Sequence, residues 1–358
     1  MKIKLRRVDK IGLVLGVLSL LIHWFCPSHW VEVVYGRFIF PFFSWIFDHS
    51  IGILPFPFLY VLILLVGYLL YRFYRHLRLV IKNKTWVSLL IGILSTIGFI
   101  LGAFYFFWGF NYDRVQLGER LSWQISSISN ETLMQEANDQ ITRLRSFSGQ
   151  QREKIEETLA FRNYRLLEVA IRQDAAKWAS DLGYLARNRV RCRQLWPAGI
   201  LLRIGTAGFY NPLSGECNID KGLHPLQKPF SMAHEFFHGM GVTGEGDCNF
   251  LAYLLCNQSN HPFIRYSGEL GYWRYMRHTV YMSDQDQYKQ MVSQLPESVI
   301  DDMKAIDEQL DKFPDIAPRM RDAIYSAYLK SNKIHDGLAN YNRILQLVIN
   351  WRLNGGEL

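Results

Sequence analysis

His234, Glu235 and His238 fall in the order His-Glu-x-x-His within "HEFFH" (234–238). Residues four apart project from one face of a helix, so the two imidazoles can reach a single ion. Glu235 is then rotated roughly 100° away, beside the position the ligands leave open. Such a set is equipped for zinc-dependent hydrolysis, with histidines as ligands and a glutamate that takes a proton from zinc-activated water. With ten His and fifteen Glu in the chain, the pattern is expected only about 0.01 times by chance. The plainer alternative is an amphipathic helix whose histidines merely make hydrogen bonds. Against it, Phe236, Phe237, Gly239 and Met240 are uncharged, as suits a helix buried behind a metal site.

A catalytic zinc needs a third protein ligand. After His238 comes "GMGVTG", whose glycines let the helix stop and the chain reverse. A second helix is expected from about Glu245, "EGDCNFLAYLLCNQ", and a carboxylate in its first turn can return to the ion. Glu245 and Asp247 are the two candidates. Glu245 has Asn249 at i+4, placed to hold the outer N–H of a ligand histidine. Acidic residues also favour any helix N-terminus without a metal.

These residues sit in a chain of 358 residues with 49% hydrophobic and 15% aromatic content. Three apolar runs, about 11–26, 56–73 and 87–108, are expected to be transmembrane helices, and the third contains no charged residue. The alternative for the first is a cleaved signal peptide, but it lacks a small-x-small cleavage site and is read as a retained helix. The net charge of +8 resides in residues 1–86, where eleven Lys or Arg face three acidic side chains. The remainder is balanced, which removes the main support for a nucleic-acid partner. Basic segments lie before the first run and between the second and third, so both are expected in the cytoplasm. Segment 27–54, rich in aromatics, is expected outside and partly as an interfacial helix. His23 is expected at the interface rather than in a proton relay. A transporter subunit finds little support in spans so poor in ionisable residues.

The expected fold is mainly α: a membrane domain (1–110), a helical region (111–190), and a metal-binding core with C-terminal helices (191–358). Apolar residues at 3–4 spacing mark helices over 130–147, 150–184 and 338–354, and residues 193–220 suit a short strand or hairpin. Five cysteines show no thiolate zinc spacing.

"HEFFH" followed by "EGDCNFLAYLL" resembles the Glu-zincin metallopeptidases, whose second helix carries Glu-x-x-Ala-Asp or Glu-x-Glu-Ala-Asn. The resemblance makes Glu245 the third ligand, with Cys248 in place of the usual Ala and Asn249 at the Asp/Asn position. The whole chain is similar to an uncharacterised bacterial family of three-helix membrane proteins with a zincin-like outer domain. That likeness runs through "LPFPFLYVLIL", "WGFNY", "GFYNPLSGECN", "PFSMAHEFFHGMG", "NFLAYL", "RYSG" and "YNRILQLVINW". It implies a mostly helical zincin-like domain with a small β segment and Zn2+ as cofactor. The expected activity is hydrolysis of a peptide or protein substrate on the extracytoplasmic (periplasmic) side of the cell (inner) membrane. The protein would be anchored in the lipid bilayer with its N-terminus in the cytoplasm.

In that reading Glu235 is the general base, and "HPFIRYSGE" supplies an oxyanion donor from His261, Arg265 or Tyr266, with Tyr266 preferred. "GFYNPLSGECN" would be an edge strand pairing with an extended peptide. Cys217 and Cys248 are candidates for a disulfide. The rival function is a membrane sensor or scaffold with a structural zinc. The oligomeric state is not legible in the sequence.

Overall fold

A computed structural model of the chain describes residues 6–83, 85–121, 126–149, 153, 155, 163–334 and 343–356. The chain is mainly helical and divides into two compact units. The first comprises residues 1–115 with 211–216, and the second comprises 116–210 with 217–358.

The first unit holds α1 (Arg7–Phe25), α2 (Ser28–Ile53), α3 (Leu59–Asn83) and α4 (Trp86–Phe107). α1 and α4 approach so closely that side chains are excluded at the crossing. A Cβ on Gly16 would lie 2.7 Å from the Gly98 Cα, and one on Gly102 would lie 3.2 Å from the Leu15 Cβ. A Cβ on Gly98 would overlap the Gly12 carbonyl. Gly12/Gly16 and Gly98/Gly102 thus form two facing Gly-xxx-Gly pairs, a pattern that lets helices meet backbone to backbone. Contacts rise together along both helices, from Gly12 with Ser95 to His23 with Tyr105, so α1 and α4 run parallel. Gly98→Leu should force the pair apart, at about 1–3 kcal/mol for an overpacked position. Its thermal unfolding midpoint in detergent is expected several degrees below that of the wild type; an unchanged midpoint would contradict this packing.

α2 lies over the end of α4. Phe43 and Phe47 rest on Phe107 with ring centroids 4.8 and 5.3 Å away, and Tyr35 meets Phe110 edge-on at 5.4 Å. Its other face exposes Trp30, Val34, Phe38, Phe42 and Trp45, spaced three to four residues apart. Arg114 donates to both Glu32 oxygens, at 2.8 and 3.0 Å. His23, expected at the interface, is buried with its Nδ1 2.8 Å from Asp113.

Among the described residues, α1, α2 and α4 are long and apolar enough to cross a membrane, by length and composition. Segment 27–54, expected as an outer and partly interfacial stretch, therefore forms a helix of 26 residues that meets those criteria itself. Most of the expected second span, 56–73, falls within α3, a helix of 25 residues. The first half of α3 is uncharged, while Arg72, Arg75, Arg78 and Lys82 make its second half polar.

In the second unit, α5 (Asn130–Arg145) and α6 (Tyr164–Asp181) precede a three-stranded sheet. After it come α7 (Lys228–Gly239), α8 (Glu245–Asn257), α9 (Pro262–Ser283), α10 (Gln285–Val292), α11 (Glu297–Asp311), α12 (Pro318–Ser331) and α13 (Arg343–Leu353). The expected helices 150–184 and 338–354 are represented by α6 and α13; most of 150–162 and all of 338–342 lie outside the described residues. The sheet has β1 (Cys192–Leu195), β2 (Gly208–Asn211) and β3 (Glu216–Asp220) in the order β1-β3-β2. β1 and β3 pair in parallel, with Cys192 opposite Cys217 and Leu195 opposite Asp220. "GFYNPLSGECN", expected as one edge strand, therefore contributes to two strands, of which β2 is at the edge and β3 in the centre.

Asp220 anchors the segment between β1 and β2. Its carboxylate accepts the buried amides of Gly199, Leu201, Leu202 and Gly222 at 2.7, 2.7, 3.2 and 2.6 Å. Asp220→Ala leaves those donors without their acceptor, so a loss of at least about 3 kcal/mol is expected. Thermal melts that superimpose on those of the wild type would contradict this.

Candidate metal centre

α7 carries Pro229 in its first turn, where a missing amide hydrogen does no harm. From Pro229 to Gly239 every residue except Ser231 is buried, with Phe236 and Phe237 fully enclosed. The helix stops where Gly241 takes a φ of +95°, a left-handed conformation that favours glycine. Gly244 then caps α8, whose first residue is Glu245. The short reversal brings the start of α8 back to His234 and His238.

His234, His238 and Glu245 each offer one ligand atom, and these atoms lie within 4.8 Å of one another. The His234 and His238 Nε2 atoms are 3.0 Å apart, and Glu245 Oε2 is 3.1 Å from the first and 3.3 Å from the second. Two ring nitrogens and a carboxylate oxygen so close together need a shared proton or cation to offset lone-pair repulsion. Tetrahedral zinc with bonds of about 2.0–2.2 Å holds its ligand atoms roughly 3.3–3.6 Å apart. The triangle falls within a few tenths of an ångström of that, and its nitrogen and oxygen donors suit the same ion.

The outer atoms of the ligands are also held. His234 Nδ1 lies 2.8 Å from Asn249 Oδ1, the contact expected from the i+4 spacing of Glu245 and Asn249, and Tyr275 donates to the same oxygen at 3.2 Å. His238 Nδ1 lies 2.9 Å from the Val242 carbonyl and 3.4 Å from Cys248 Sγ. Both imidazoles can therefore present Nε2 as the ligand atom. The second oxygen of Glu245, Oε1, accepts from the Tyr325 hydroxyl at 2.6 Å.

Burial lowers the pKa of His234. It would also lower that of His238, but Cys248 and Glu245 outweigh it and raise the group well above its usual value. Against its own burial, Glu245 is held well below the usual carboxylate range by His238 and His234. Burial raises Glu235 to about 8. Among the described residues its Oε2 is enclosed without a hydrogen-bond partner, and its Oε1 lies beside Gly208, where any Cβ would come within 2.8 Å of it. Asp247, the other candidate third ligand, is outside the triad, and burial lifts its carboxyl to about 6.

The profile of a family described as Protein of unknown function (DUF3810) matches residues 35–349. The chain belongs to this family. No curated protein and no solved structure matches it. The match takes in the triad, Glu235 and α12, so the candidate metal centre of this DUF3810 protein lies wholly inside the family region.

Of the residues expected at the site, the structure brings together His234, His238 and Glu245, with Glu235 next to His234 on α7. It does not bring Tyr266 to them. Tyr266 is fully buried, and its hydroxyl donates to Asp302 at 2.7 Å. Tyr275, which does reach the site through Asn249, lies nine residues further along α9. At about 100° per residue that is two and a half turns, so Tyr266 points from the opposite face. Of the other two donors considered, His261 precedes the first turn of α9, and Arg265 donates to the Ser259 carbonyl at 2.9 Å. The candidate Cys217–Cys248 disulfide is absent. All five cysteines are free, and Cys217 Sγ donates instead to the Glu235 carbonyl at 3.0 Å. Tyr275 and Tyr325 carry no spacing signal that separates them from the other tyrosines, so sequence reasoning misses both.

Proposed function

We propose that the protein is a membrane-anchored, zinc-dependent metallopeptidase that hydrolyses peptide bonds on the extracytoplasmic side of the cell (inner) membrane. One observation carries the reading: His234, His238 and Glu245 converge beside a buried Glu235 whose Oε2 has no partner among the described residues. A zinc ion held by that triad supplies Lewis acidity toward a carbonyl and acidifies water near neutral pH. Glu235 would take the attacking water's proton at Oε2 and return it to the leaving amine. It must be ionised to do so, and a nearby dication favours that form against the effect of burial. β2 is an edge strand, so an extended peptide can add to it, and Gly208 interposes no side chain between strand and Glu235.

The orientation rests on the basic N-terminal segment and on the parallel packing of α1 and α4. Two parallel crossings require an odd number of passages between them, whichever of α2 and α3 makes the return. Residues after α4 then emerge opposite the N-terminus, and the positive-inside rule assigns the N-terminus to the cytoplasm.

A second reading has its own support. His234, His238 and Glu245 are all buried, as in the closed zinc sites that serve structure alone, and such a site would suit a sensor or scaffold. Zinc content of the detergent-purified protein, measured beside peptide turnover by the wild type and Glu235→Gln, separates the two. Zinc with turnover that depends on Glu235 supports the peptidase; zinc without turnover supports the scaffold.

A further inference from the structure

The two oxygens of Glu245 have different partners. Oε2 faces His234 and His238 at 3.1 and 3.3 Å, while Oε1 accepts from the Tyr325 hydroxyl at 2.6 Å. A carboxylate ligand with both oxygens free can rotate and bind an ion through both. It then fills a position that a catalytic site leaves open for water or substrate. A short hydrogen bond from a phenol to a carboxylate is among the stronger kinds, and breaking it inside a buried site leaves the charged oxygen without a donor.

Resting on the zinc reading above, we propose that Tyr325 is a positioning residue that confines Glu245 to ligation through Oε2 and so keeps a coordination position open. The ring that delivers the hydroxyl is itself held in place. Tyr328, one turn further along α12, stacks on it with centroids 5.9 Å apart and planes 24° from parallel. The arrangement is the carboxylate counterpart of Asn249 on His234, where an outer partner fixes the ligand's orientation. It also gives α12 a purpose at the metal centre that none of its own residues, as ligands, would supply.

The test uses full-length protein in detergent, as wild type, Tyr325→Phe and Tyr328→Phe. Zinc affinity is measured by competition with a chromophoric chelator. Co2+ loaded in place of zinc reports coordination number through its visible absorption. Tyr325→Phe should bind zinc about 10–100-fold more weakly. With Co2+ it should show the weak bands of a five-coordinate ion, where the wild type shows the stronger bands of a four-coordinate one. Tyr328→Phe keeps a ring at the same place on α12 and should match the wild type in both measurements. If Tyr325→Phe has wild-type affinity and the wild-type spectrum, the proposal is overturned while the zinc reading stands. Equal losses in Tyr325→Phe and Tyr328→Phe would also overturn it, by showing a general loosening of α12. A wild type that binds neither metal removes the proposal and the zinc reading together.

Discussion

Wild-type protein purified in detergent is expected to carry about one zinc per chain, and His238→Ala and Glu245→Ala each to carry less than about a tenth of that. Each substitution removes one of three ligands from a site whose donors are already set 3.0–3.3 Å apart. His238→Ala leaves Glu245 with one imidazole neighbour, and Glu245→Ala leaves two Nε2 atoms facing each other with no anion between them. Elemental analysis of the three proteins decides the matter. Zinc retained by Glu245→Ala alone would pass the third place to another carboxylate, Asp247 being the nearest in sequence. Wild type that stays free of zinc after incubation with the metal would end the enzyme reading.

The second large effect is expected from Glu235→Gln. Glutamine matches glutamate in shape, so zinc content and thermal midpoint should stay at or above wild-type values. In the metal-free protein the midpoint has reason to rise, because there a buried carboxyl pushed up to about 8 is replaced by a group that never ionises. Hydrolysis of a fluorogenic peptide library should fall by roughly 10²–10⁴-fold, the range associated with loss of a general base. Turnover that survives the substitution would remove Glu235 from the mechanism.

The legible part of the site is the part encoded within a few residues. His234 and His238 share a helix face, glycines mark the reversal at Gly241 and Gly244, and Glu245 opens the next helix, so local geometry alone brings them together. Tyr266 stands near the motif in sequence, and that nearness misleads. Its place is decided by the face of α9 it occupies, which depends on where Ser267 and Gly271 pack against α7. Tyr325 depends on a contact between residues eighty positions apart, for which helix periodicity holds no information. The membrane region shows the same division. Apolar runs announce helices, and the Gly-xxx-Gly pairs of α1 and α4 lie in plain sight. That α2 folds over Phe107 and Phe110 follows from tertiary packing that hydropathy does not encode.

The separation of Glu245 from Tyr325 also orders events during synthesis. The three ligands occupy twelve residues, 234–245, and leave the ribosome together. At about 5–20 residues per second, Tyr325 follows Glu245 by roughly 4–16 s. Throughout that interval the nascent chain holds all three candidate ligands without the tyrosine that binds Glu245 Oε1. On the zinc proposal, metal delivery in that interval would precede the arrival of Tyr325, and the ion would not have to enter a finished, buried centre.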